Sequence, residues 1–213
     1  MDAMSFHAWI IFASFWGVFV ITPGPNAVNC ILNGVTHGFW QSLWGVAGIL
    51  TQAALFLTLS AIGVATLLVT SPFAFFVAKL IGAAFLVFTG VRGWRAATRA
   101  IAEVTSSGSI YSRAFMIATI NPKSVAGYLA AFTQFVDPAV PIGRQMWVIV
   151  PTALTLTSIS YATYTALGTI LGRSALAATM NVTLRRGLAV CFVIYGVLLF
   201  LSSFDTGLFG SAV

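Results

Sequence analysis

Two short clusters combine helix-breaking residues with polar groups inside otherwise apolar runs of this 213-residue chain: Thr22-Pro23-Gly24-Pro25-Asn26 and Asn121-Pro122-Lys123. Proline has no N–H and its ring clashes with the carbonyl four residues earlier, so each cluster should unwind a helix and free backbone groups. At membrane depth such groups are tolerated only where protein or a water-filled cavity satisfies them. Together they suit a zwitterion. The half-helix after a break turns free N–H groups and a positive dipole end towards a carboxylate, while exposed carbonyls can take an ammonium. Asn26, Asn29 and Asn121 add donors and acceptors at that level, or else only cap the freed backbone. Lys123 lies ten residues after Arg113, about 15 Å of helix, which is too deep for easy snorkelling. An ammonium there calls for a cavity or a partner, and its default reading is functional. Substrate-binding candidates are therefore Thr22, Pro23, Gly24, Pro25, Asn26, Asn121, Pro122 and Lys123.

Other chemistries find little support. Cys30 and Cys191 stand 161 residues apart in apolar runs, with no C-x-x-C motif and no Cys/His cluster, so they read as small buried hydrophobes rather than a disulfide or a metal site. His7 and His37 sit at segment ends without H-E-x-x-H or G-x-S-x-G partners, which argues against a hydrolase. No catalytic residue, metal or prosthetic group is expected. Hydroxyls crowd the stretch from Thr152 to Thr165, Ser160, Tyr161 and Tyr164 among them, and most read as bonded back to their own helix.

The elements that position the two clusters follow from composition. The chain is 59% hydrophobic and 7% charged, with a mean hydropathy of +0.99, against about 25% charged residues in soluble domains. From Ala3 to Ala78 run 76 residues without Asp, Glu, Lys or Arg, far more than the roughly 20 that one spanning helix needs. Apolar segments extend from Phe6 to Leu32, Phe39 to Val69, Phe73 to Trp94, Tyr111 to Val136, Gln145 to Leu171 and Leu184 to Ser203. The expectation is an all-α integral membrane protein of six transmembrane helices, one membrane domain over residues 1–213 with lipid around it. The N-terminus lacks a basic n-region and a small-residue cleavage site, so the first segment reads as an uncleaved span.

A net charge of +6 on a soluble protein would suggest nucleic acid, but here the positive-inside rule explains it and no nucleic-acid partner is expected. Arg92, Arg95, Arg99 and Arg113 flank the third connection and Arg173, Arg185 and Arg186 the fifth, which six crossings place on one side. Those loops are expected in the cytoplasm and both termini in the periplasm. An internal repeat at an offset of 106 aligns Lys79–Val91 with Arg185–Val197. Residues 1–104 and 105–213 then form two three-helix repeats, and an odd number of crossings inverts the second. The first helix of each repeat carries a break (TPGPN, NPK), and paired interruptions of this kind point to a transport site.

The chain resembles the LysE/RhtB family of bacterial amino-acid exporters. The likeness rests on Ile21-Thr22-Pro23-Gly24-Pro25-Asn26, Gly34, Gly38 and the Gly45/Gly48 helix, then on Asn121-Pro122-Lys123 and Phe132-Thr133-Gln134-Phe135-Val136-Asp137-Pro138, in family order over nearly the whole chain. It implies an inner-membrane exporter of amino acids or close derivatives, driven by the proton gradient. Two departures stand out: the second helix offers only Thr51 and Gln52 where many relatives carry an ionisable residue, and Thr133 replaces the usual proline. Coupling or pathway candidates are then Asp137, Gln52, Asn29 and Tyr161, although Asp137 reads first as a helix-end or loop contact. With no other acid in the spans, a cationic cargo has no counter-ion, which favours neutral amino acids. A passive channel and a membrane thiol/disulfide electron carrier are the alternatives. Glycine-rich helix faces would serve a homodimer or packing within one subunit equally well.

Overall fold

Serine and proline set where the helices start. In the computed structural model, which describes residues 4–99, 108–172, 174 and 181–205, those residues form seven helices and no strand. They are α1 (Phe6–Ile21), α2 (Pro25–Thr70), α3 (Pro72–Ala96), α4 (Ile110–Ile120), α5 (Pro122–Phe135), α6 (Ile142–Leu171) and α7 (Val182–Asp205). Ser5, Ser71 and Ser109 each accept the amide of the residue three further on, and Pro25, Pro72 and Pro122 stand first in their helices, where a missing N–H costs nothing.

The six apolar segments map onto these helices with one shift. The turn expected from Asn33 to Gly38 contracts to Gly38 alone, whose φ of 72° and ψ of 176° lie outside helical geometry and divide α2 into residues 25–37 and 39–70. Helix continues through Asn33 and Gly34 because both are used in packing. The Asn33 Oδ1 accepts from Arg113 at 2.8 Å, and Gly34 lies directly against the Thr165 carbonyl of α6. Among the described residues, three stretches are long and apolar enough to cross a membrane: Pro25–Gly63, Phe76–Ala96 and Ile142–Leu171. The outer surface suits lipid, since Trp40 and Trp147 are 81% and 83% exposed and Ile62, Ile81 and Ile170 are exposed beside them. Glu103, Ser107 and Arg173 lie outside the described residues.

Helix α2 packs chiefly on α6 and α4, and α3 on α7. Glycines let these backbones meet. Gly34 and Gly168 bring α2 and α6 together, and Gly48 sets α2 against the Tyr111 carbonyl of α4. Between α3 and α7 the contacts are reciprocal. A Cβ on Gly90 would stand 2.6 Å from the Ala189 carbonyl and 2.6 Å from Val193, and one on Gly196 would stand 2.9 Å from the Ala83 carbonyl and 2.7 Å from Val87. Each of these pairs exchanges under the 106-residue offset read in the sequence.

The core beside α1 is aromatic. Phe12, Phe15, Trp16 and Phe19 are buried against Tyr128 and Phe135 of α5 and Phe192 and Tyr195 of α7. The Trp16 indole donates to the Ala153 carbonyl and Thr157 hydroxyl of α6, both at 3.0 Å, which satisfies its one buried donor.

Candidate functional site

A helix leaves its last carbonyls without internal partners, and those of α1 end inside the protein. The sequence suggested that they lie open to a ligand. Instead, side chains meet nearly every one of them. Val18 O accepts the Thr22 amide at 3.0 Å and the Thr22 hydroxyl at 2.6 Å. Val20 O accepts the Ser160 hydroxyl at 3.1 Å, and Ile21 O accepts the Tyr164 hydroxyl at 2.5 Å. Thr22 O accepts the Lys123 ammonium at 2.8 Å. Ser160 and Tyr164 stand one turn apart on α6 and so share the face it turns to α1. Fewer hydroxyls of α6 than expected bond to their own helix: those of Thr157, Thr163, Thr165 and Thr169 do. Ser160 and Tyr164 do not.

The second interruption is settled locally. Helix α4 ends at Ile120, Asn121 is extended at ψ 109°, and α5 begins at Pro122. The buried Asn121 side chain accepts the Lys123 amide at 3.1 Å, an N-cap. It fixes the base of Lys123, whose ammonium then reaches across to Thr22 and lies 5.0 Å from the centroid of the Phe19 ring.

Both interruptions line one cavity of about 400 Å3. Thr22, Pro23, Gly24 and Pro25 contribute from the first, Asn121 and Lys123 from the second. Phe85, Phe88 and Thr89 of α3 and Ala189 and Phe192 of α7 form a largely apolar wall, which continues to Arg92, Arg99 and Arg185. Arg92 and Arg99 are exposed, so the cavity reaches the surface at this arginine-bearing end. The Arg185 guanidinium donates to the carbonyls of Ala96, Ala97 and Arg99, closing the end of α3. Among the described residues no carboxylate lines the cavity. It is a cationic chamber with an apolar wall, which can hold a carboxylate by charge-assisted hydrogen bonds and an apolar group beside it.

The other candidates lie elsewhere. Asn26 is buried, and Tyr161 packs with Ala27, Cys30 and Ile31 between α2 and α6. Asn29 is buried on the same helix one turn on. Gln52 is wholly buried, its carbonyl 3.4 Å from the Tyr128 hydroxyl. None of these lines the cavity. Asp137 is exposed in the connection before α6, where its carboxylate accepts the Ala139 amide at 2.8 Å and its own backbone is clasped by Gln145. Pro122 opens α5. Ser160, Tyr164, Arg92, Arg99 and Phe192 were not singled out by the sequence; the four-residue spacing of the two hydroxyls was the available signal.

Comparison with known proteins bears directly on this arrangement. No solved structure matches the chain. An uncharacterized membrane protein of Vibrio cholerae is 35% identical over 174 residues, 80% of this chain and 85% of that one. A homoserine/homoserine lactone efflux protein of Salmonella typhimurium is 29% identical over 168 residues, 77% and 82% of the two chains. A leucine efflux protein of the same organism is 30% identical over 153 residues, 68% and 71%. The family model for LysE type translocators matches residues 18–203, from within α1 nearly to the end of α7, and so takes in both interruptions and every wall of the cavity. The chain belongs to the LysE-type translocator family, whose members are transporters and not enzymes.

Proposed function

We propose that this protein is a secondary transporter that exports neutral amino acids or close derivatives across the bacterial inner membrane. One observation carries the reading: two interruptions far apart in sequence line a single cavity, with Lys123 of one bonded to Thr22 of the other. Lys123 anchors the cargo carboxylate, and the wall of Phe85, Phe88 and Phe192 receives its side chain. Among the described residues the lining holds no carboxylate, which disfavours cationic cargo. Efflux of leucine and of homoserine by relatives fits a neutral substrate.

In this reading α1 with the first part of α2 is one interrupted span, and α4 with α5 is its counterpart in a second, inverted repeat. The reciprocal α3–α7 contacts support such a two-fold relation. Six spans follow, residues 1–104 and 105–213 forming the two repeats. The arginine-bearing end is cytoplasmic and the termini periplasmic. The cavity thus faces the cytoplasm while the aromatic block closes the far side, and rocking of the repeats gives alternating access driven by the proton gradient.

Uptake of a radiolabelled amino-acid panel into proteoliposomes, with and without an imposed pH gradient, tests this. Gradient-driven accumulation of one or a few neutral amino acids is expected, lost in Lys123→Ala and Pro25→Ala. Correctly inserted protein that moves none of them would end the substrate reading, and gradient-insensitive, non-saturable flux would indicate a channel instead.

A further inference from the structure

We propose that the Lys123 ammonium is a built-in cation, filling the position at the carbonyl end of α1 that an inorganic monovalent cation would take, so that the cargo site forms without Na+ or K+. The carbonyl end of a helix carries roughly half a negative charge, and in membrane proteins with interrupted helices such ends coordinate cations. Here Val18, Val20 and Ile21 are met by the hydroxyls of Thr22, Ser160 and Tyr164, all uncharged. Thr22 O, the last acceptor, is met by an ammonium at 2.8 Å. The same nitrogen lies 5.0 Å from the Phe19 ring, and a carbonyl with an aromatic face is a surrounding that suits a monovalent cation.

The lysine is held there rather than passing through. Its amide is fixed to Asn121 and Pro122 sets the start of α5, so the side chain leaves from a defined point. An ammonium has three N–H groups, of which Thr22 O uses one. Lys123 also lines the cavity, so the charge that completes α1 is the charge a carboxylate meets. A metal ion at that spot would have to displace it. This holds whatever the cargo is, because it concerns the empty site.

Thermal unfolding of the purified full-length protein tests it without any transport assay, using methylammonium, Na+, K+ and choline chlorides at constant ionic strength. The wild type should melt at one temperature in all four salts. Lys123→Ala should melt lower and regain about 2–4 °C, saturably, in methylammonium but not in choline. Specific stabilisation of the wild type by Na+ or K+, or an equal response of the variant and the wild type to methylammonium, would overturn the proposal. Should Lys123→Ala fail to fold, Lys123→Met keeps the side-chain length without its charge, and the wild-type comparison stands alone.

Discussion

The two helix interruptions solve one problem in opposite ways. At the second, the first amides of α5 are handled within three residues: Asn121 caps and Pro122 has no N–H to satisfy. At the first, the freed carbonyls of Val20, Ile21 and Thr22 are met by Ser160, Tyr164 and Lys123, which lie between 101 and 143 residues away in sequence. A locally capped break forms as soon as its own helix does. The carbonyls of the other break find their partners only when α5 and α6 are already in place, so their pairing reports the packing of the whole bundle. Lys123 joins the two, because the local cap of one break positions the ammonium that completes the other.

The strongest way to break this contrast is to push α6 away from α2. The Gly168 Cα faces the Ile31 carbonyl with no room for a side chain, so Gly168→Leu should cost at least about 1–3 kcal/mol. The loss of monodisperse protein on size-exclusion chromatography in detergent measures it; a wild-type profile would mean that the close approach is dispensable. Removing the long-range donors comes next. Ser160→Ala with Tyr164→Phe leaves two carbonyls of α1 without partners and should lower stability by about 0.6–1.7 kcal/mol for each bond, read from thermal unfolding. No substitution near residue 22 should restore it.

The local cap is the matching control. Asn121→Ala should cost about 1 kcal/mol, whereas Asn121→Ser, which keeps an oxygen acceptor, should recover most of it in the same melting assay. If serine fails as badly as alanine, Asn121 does more than cap. The smallest effect is expected at the mouth of the cavity. Arg92 is exposed, so Arg92→Ala should leave stability within about 0.5 kcal/mol of wild type. Its effect should appear in the KM for transport instead, and an unfolding shift larger than that would make Arg92 part of the bundle's packing.

Much of the helical layout was legible in composition and punctuation, since apolar runs, Ser caps and the prolines at 25, 72 and 122 are local signals. Six of the eight proposed binding residues do line the cavity, because a proline cluster marks an interruption wherever the helix packs. The exceptions have physical reasons. Asn26 follows Pro25 and already belongs to α2, so helical rotation sets its direction, and it is buried away from the cavity lining. The turn at Asn33 and Gly34 looked like a loop, yet tertiary contacts with Arg113 and α6 keep those residues helical.

The sequence by itself determined that the chain is apolar enough for a bilayer and where serine and proline start its helices. Each of these depends on residues near in sequence or on periodicity. Only the tertiary structure decided which groups complete the first interruption, that Arg185 closes α3, and that Lys123 faces Thr22 across the cavity. Those outcomes rest on pairings more than 80 residues apart. The direction of a hydroxyl or an ammonium at such a distance is fixed by how helices rotate and approach, and no local pattern encodes that.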